Sequence, residues 1–216
     1  MTQRKKQAKK TSGRSAKILN YLLGFAIAVM IIGLIGSVIY YILVEDLPSV
    51  AALKDYRPSI ASRVYDDNNE LIDEFFLEDR KVIKISEVPQ IVHHAFVAAE
   101  DSRFYKHRGF DMQSITRAMY KNFEAGKIVQ GGSTITQQVA KLMYLSPEKK
   151  YTRKIKEAIL SYRIDTYLTK EEILNLYLNQ IYLGHGTYGI ESASLGYFGK
   201  SAKELTLPEA ALLAGM

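Results

Sequence analysis

A chain of 216 residues holds one ordinary domain, or a small domain with appendages. Its 47% hydrophobic and 24% charged residues exclude a wholly disordered, collagenous or coiled-coil protein. There is no cysteine, which removes disulfides, thiolate zinc sites, iron–sulfur clusters and cysteine nucleophiles together. The formal charge of +6 belongs to one end, because Arg4, Lys5, Lys6, Lys9, Lys10, Arg14 and Lys17 stand in residues 1–17 with no acid. The rest has 22 Lys+Arg against 23 Asp+Glu, a net −1, so the electrostatic footprint of a nucleic-acid-binding domain is missing.

After this basic tail, Ile18 to Val44 runs without a charged residue and is ended by Glu45-Asp46. As a helix these residues would extend about 40 Å, enough to cross a hydrocarbon core of about 30 Å. A cleaved signal peptide would have a shorter apolar run, and a buried helix of a soluble protein would not be apolar all round beside a polybasic flank. One transmembrane signal-anchor helix is expected over 18–44. The tail sets the N-terminus in the cytoplasm and everything after Glu45 outside it, and Tyr21, Tyr40 and Tyr41 lie near the interfaces.

Residues 45–62 carry two prolines and weak periodicity, so they read as an extracytoplasmic linker. In RVYDDNNELIDEFF, two apolar-rich stretches flank the turn cluster Asp66-Asp67-Asn68-Asn69, which predicts a short hairpin. From Pro89 on the spacing is helical, with stripes at Ile91, Ala95, Ala98 and Ala99, at Met112, Ile115, Met119 and Phe123, and at Ile173, Leu174, Tyr177 and Leu178. The body of the protein, 63–216, is expected to be mainly α. A last helix begins near Pro208 and reaches the end of the sequence without a cap, a pattern expected of a truncated domain.

Three segments could carry chemistry. Glu100 leaves the apolar run Phe96-Val97-Ala98-Ala99, where its carboxylate would be desolvated and a stronger base. The plainer alternative, preferred on spacing alone, is an ordinary helix end with Glu100 paired to Arg103. Gly131-Gly132-Ser133-Thr134 opens a helix through Gln137, Gln138 and Lys141, and its free N–H groups and hydroxyls suit an anion or a sugar. A glycine-cap turn with no ligand has the same composition. In Lys149–Glu157, Arg153 and Lys154 share a helical face with Glu157. This is either a solvated, self-paired helix start or two cations and a carboxylate converging on a phosphorylated substrate. The stretch Phe110–Val129, with Arg117, Lys121 and Lys127 beside its apolar stripe, is either an element that dips into a membrane interface or a buried core helix.

Two apparent motifs are rejected. Ser146-Pro-Glu-Lys149 fits S-x-x-K but lacks its Ser-Asp-Asn and Lys-Thr-Gly partners. His93-His94, His107 and His185 have no metal-ligand spacing, so no structural zinc is expected.

In order, these segments resemble the family 51 peptidoglycan glycosyltransferases, that is, the glycosyltransferase domain of class A penicillin-binding proteins and their monofunctional relatives. The resemblance rests on Glu100-Asp101-x-x-Phe104-Tyr105-x-His107-x-Gly109-x-Asp111, Gly131-Gly132-Ser133-Thr134-Ile135-Thr136-Gln137-Gln138, and Arg153-Lys154-x-x-Glu157. It continues in Ile173-Leu174-x-x-Tyr177-Leu178-Asn179 with Gly184 and Tyr188-Gly189, and in Leu207-Pro208-Glu209-Ala210-Ala211-Leu212-Leu213-Ala214-Gly215. It implies a lysozyme-like fold of two lobes with a groove between them. The implied activity is polymerisation of lipid II into β-1,4 glycan with inversion and release of undecaprenyl pyrophosphate, at the cell membrane, in contact with nascent glycan and cell-wall synthesis proteins. The resemblance makes Glu100 the general base, with Glu157 as a second catalytic acid that either orients the Arg153 and Lys154 cations or helps hold a divalent metal at the pyrophosphate. It assigns substrate contacts to Arg103, His107, Gly131, Ser133, Thr134, Gln137, Gln138, Lys141, Arg153, Lys154, Asn179 and Tyr188. A divalent cation, Mg or Mn, held through Glu100 and Glu157 at the pyrophosphate is part of the same implication, and no organic cofactor is. A membrane-anchored muramidase and a silent cell-wall scaffold are the alternatives.

Overall fold

The computed structural model describes residues 2–45, 47–54, 56, 58, 62–76, 78–145 and 150–216. The chain divides into two compact units, Met1–Leu47 and Pro48–Met216. The rejected S-x-x-K at residues 146–149 and part of the linker lie outside the described residues.

The first unit is one helix, α1 (Thr2–Glu45), which continues through the basic tail. Within it, Leu19–Val38 is a 20-residue span of mean hydropathy 2.4. Its large apolar side chains, such as Phe25, Met30 and Ile32, are all exposed. A span that is apolar on every side suits lipid rather than water.

The second unit opens with a helical turn, Val50–Leu53, in which Val50 and Leu53 are buried. Tyr56 accepts a hydrogen bond from Gln180 at 3.1 Å. Residues 48–54 and Tyr56 of the linker thus belong to this unit. The expected hairpin is present: β1 (Ser62–Tyr65) pairs antiparallel with β2 (Leu71–Phe75), with a register shift between Val64 and Tyr65. Asp66 makes the turn by accepting from the N–H groups of Asn68 and Glu70 at 2.9 and 2.7 Å, and Asn69 takes the positive φ of 62° that such a turn uses.

Then come β3 (Asp79–Arg80), α2 (Gln90–Glu100), α3 (Met112–Ala125), α4 (Ile135–Tyr144), α5 (Lys150–Tyr167), α6 (Lys170–Gln180), β4 (Thr187–Tyr188), α7 (Ile190–Phe198) and α8 (Leu207–Ala214). Strands β3 and β4 pair in parallel. Helix starts are written in side chains: Asp111 caps α3, and Thr134/Gln137, Thr169/Glu172 and Thr206/Glu209 form capping boxes on α4, α6 and α8. Helix α2 packs on α8, while α4 packs on α5 and α6. Their shared core contains Phe96, Ile135, Val139, Leu160, Ile164, Ile173, Leu174, Tyr177, Leu178 and Leu213.

The stripe expected on α6 is its buried face. The one expected on α2 is not: Val92, His93, Phe96 and Val97 are buried, whereas Ala98 and Ala99 are exposed. Large side chains gain more from burial than alanine, and the two alanines are left to line a cleft. The α3 stripe is outward, with Met112, Met119 and Phe123 exposed and Ala118 the buried residue of the helix. This decides against a core helix.

Candidate active site

Where α2 ends, the backbone of Asp101 leaves the helical region at φ −155°. The chain beyond therefore does not continue the helical face, and Arg103 does not meet Glu100. It pairs instead with Asp111 at 2.8 Å, which corrects the simple helix-end pairing. Burial opposes charge on Asp111, but hydrogen bonds from Ser114 and Gln113 and the Arg103 guanidinium outweigh it and hold the carboxyl below the usual carboxylate range. Glu100 itself is exposed, so desolvation is not what shapes it. Its Oε2 accepts from Gln138 Nε2 at 2.7 Å, which leaves the other oxygen for a ligand.

Asp101 is the buried hinge of the site. One of its oxygens, Oδ2, lies 2.9 Å from His107 Nε2 and accepts the Ile135 N–H at the start of α4 at 3.1 Å. Thr134, already the cap of α4, donates its hydroxyl to the Gly109 carbonyl. The first two sequence blocks are thereby bolted together. Gly109 has φ +78°, and a Cβ there would collide with the backbone carbonyl of Ser161 on α5. We expect Gly109→Ala to cost about 3 kcal/mol or more, from positive φ plus overpacking; a melting temperature close to that of the parent chain would contradict this.

The result is a cleft of about 490 Å³ lined by Ala98, Ala99, Glu100 and Ser102 from the end of α2, by Arg117 and Lys121 from α3, and by the loop Gln130–Thr134 with Gln138. Gly132 lets that loop approach α3, since a Cβ on it would stand 3.1 Å from the Ile115 Cα. Ser133 on the rim accepts from Lys154 Nζ at 2.9 Å, and the same ammonium group is paired with Glu157. Glu157 is 3% exposed, the Lys154 side chain 51%. The carboxylate is thus a fixed anchor and the ammonium a partly free cation.

Glu100, Gly131, Ser133, Thr134 and Gln138 therefore share one cleft, with Lys154 and Glu157 attached through Ser133. Arg153 is half-buried, and its Nε has no hydrogen-bond partner among the described residues. Lys141 is exposed near the end of α4, away from the lining. Gln137 is buried in its capping box, and Asn179 bridges both backbone groups of Ile83 at 2.9 Å. Tyr188 lies beneath the Arg80 guanidinium, 5.5 Å from ring centroid to carbon. Arg117 and Lys121 are the cleft cations that the sequence did not single out as site residues. Their spacing from Met112, Ile115 and Met119 was the available signal, since it puts them beside the apolar stripe.

A family model described as transglycosylase matches residues 68–216. The chain belongs to the transglycosylase family. It is 44% identical over 202 residues to penicillin-binding protein 1A of Neisseria cinerea, covering 93% of this chain and 25% of that protein. Against penicillin-binding protein 1A of Aquifex aeolicus it is 44% identical over 201 residues, and against that of Vibrio cholerae 43% over 201, again 93% of this chain but 27% and 24% of the relatives. The chain thus spans about a quarter of the length of the curated relatives it matches. Within the transglycosylase region the described residues hold no group of three or more His, Asp or Glu side chains that could bind a metal ion. With Glu157 already committed to Lys154, the donor set does not fit a resident ion, and no step below uses one.

Proposed function

We propose that this cleft is a peptidoglycan glycosyltransferase site that joins lipid II units into β-1,4 glycan, on a domain held at the outer face of the cell membrane by α1. The observation that carries the reading is the shared cleft: a carboxylate with one free oxygen lies in the same depression as a serine that holds a half-exposed ammonium group. Glu100 takes the proton from the acceptor's sugar 4-hydroxyl as that oxygen attacks the donor's anomeric carbon, and the C–O bond to pyrophosphate breaks on the opposite side. Configuration inverts in the single displacement. The leaving group carries its own charge, so it needs cations more than a proton. Lys154 supplies one, oriented by buried Glu157, and Arg117 and Lys121 of the cleft lining supply others. Lipid II, nascent glycan and cell-wall synthesis proteins are the partners.

A glycosidase would need two carboxylates flanking the bond to be cut. Glu100 and Asp101 are the acids among the lining residues, and Asp101 is engaged by His107 and the Ile135 N–H. This favours transfer over hydrolysis. The test is incubation of the chain, in detergent or nanodiscs, with labelled lipid II. Polymer with release of undecaprenyl pyrophosphate is expected; soluble muropeptides from sacculi without polymer would replace this reading by a muramidase.

The substrate's lipid also explains the outward apolar face of α3 and the loop after it, where Phe123 and Ile128 are each 88% exposed. Such a face beside cations suits a lipid interface. Because the chain has no tryptophan, a single reporter is clean: in nanodiscs, Phe123→Trp is expected to emit to the blue and be quenched by brominated acyl chains. Tyr162→Trp, on exposed α5 surface, is the control expected to show neither effect, and equal emission from both would remove α3 from the membrane.

A further inference from the structure

Behind the cleft, an ion pair grips the loop between α2 and α3. Asp165, near the end of α5, pairs with Lys170 at the start of α6, and their side chains are 7% and 21% exposed. A pair that only closed the turn between these two helices would bond to that turn. The turn is held without it, by the Leu168 N–H on the Ile164 carbonyl and by the Thr169/Glu172 capping box. Both charged groups reach instead to residues 56 and 63 positions earlier. Asp165 Oδ2 accepts the Gly109 N–H, and Lys170 Nζ donates to the His107 carbonyl at 2.9 Å. The same ammonium group stands 4.6 Å over the ring of buried Phe104.

The gripped loop meets the cleft with its other groups. The His107 ring is bonded to Asp101, the neighbour of Glu100, and the Gly109 carbonyl accepts from Thr134, the neighbour of Ser133. His107 and Gly109 thus each have one group on the ion pair and another on a residue that lines the cleft. A pair this buried adds little net stability, because desolvation offsets its attraction. What it fixes is geometry.

We propose that Asp165 and Lys170 are positioning residues, which clamp His107 and Gly109 so that Glu100 and the Ser133 that holds Lys154 keep their productive separation. Neither residue lines the cleft itself. The proposal rests on the reading of that cleft as a glycosyltransferase site.

The experiment compares the parent chain with Lys170→Met and with the double variant Asp165→Asn/Lys170→Met. Methionine keeps an unbranched stem on Phe104 but offers the His107 carbonyl no donor. In Lys170→Met, kcat for lipid II turnover should fall about 10–100-fold, approaching the cost of a 1 Å misplacement of reacting groups. KM should not change, because no substrate contact is removed. The double variant leaves no buried charge unpaired, and its carboxamide oxygen still accepts from Gly109. Its melting temperature should return toward that of the parent while kcat stays low. Nitrogen-15 NMR reads the clamp without turnover, since the chain has only four histidines. The His107 ring N–H on Asp101, assigned by its absence in His107→Gln, should exchange with solvent about tenfold faster in both variants than in the parent, the equivalent of one hydrogen bond. A double variant that regained rate along with stability would overturn the proposal and leave the pair purely structural. Unchanged kcat and unchanged exchange in Lys170→Met would overturn it equally. A parent chain that makes no glycan, while Lys170→Met still speeds the His107 exchange, would defeat the functional reading and leave the clamp established.

Discussion

Glu100→Gln should reduce glycan formation by about 10²–10⁴-fold, the usual worth of a positioned general base, with the fold intact. The carboxamide is nearly isosteric and can still face Gln138, one carbonyl accepting where Oε2 accepts now. Glu100 is exposed, and its substitution uncovers no buried charge. The loss should fall on kcat and leave substrate affinity almost unchanged, since what disappears is an interaction made only as the acceptor hydroxyl surrenders its proton. Polymerisation at the parent rate would require another base. Asp101 could not easily be that base, because it is buried and engaged by His107 and the start of α4.

Local features of this architecture were legible in the sequence wherever a short stretch carried its own physical reason. Asp66 to Asn69 predicted the hairpin because an aspartate side chain can make a turn with the two N–H groups that follow it. The apolar face of α6 followed from Ile173, Leu174, Tyr177 and Leu178, and the last helix from Leu207-Pro208. What depended on the far side of the chain was not legible. Alanines 98 and 99 have the periodicity of a core stripe, yet they line the cleft, because Val92 and Phe96 fill the space against the neighbouring helices. Arg103 is spaced to reach Glu100 only if the helix continues, and the helix stops. Arg117 and Lys121 looked like the polar edge of an amphipathic helix. Their place in the lining that Glu100 shares goes with the close approach of the Gly132 loop to Ile115, which no spacing announces.

The pairing of Lys154 with Glu157 can be separated into its catalytic and structural parts. Lys154→Met should lower kcat about 10²–10³-fold, the scale seen when one group that stabilises transition-state charge is removed. It should also destabilise the domain, because Glu157, almost fully buried, loses the cation that neutralises it. A fully buried broken pair costs about 3–5 kcal/mol; with half of the Lys154 side chain in solvent, about 1–3 kcal/mol is the better expectation after screening. Glu157→Gln keeps a neutral partner for the ammonium group and leaves the charge in the cleft, so its stability should stay close to that of the parent and its activity should fall far less than that of Lys154→Met. The double variant Lys154→Met/Glu157→Gln buries no unpaired charge and should regain most of the lost stability while remaining as slow as the single lysine variant. Denaturant melts and lipid II turnover on the four proteins complete the cycle. If the double variant recovered activity along with stability, the ammonium group would be a structural counter-ion to Glu157, and the charge that meets the departing pyrophosphate would have to be sought in the cleft residues Arg117 and Lys121.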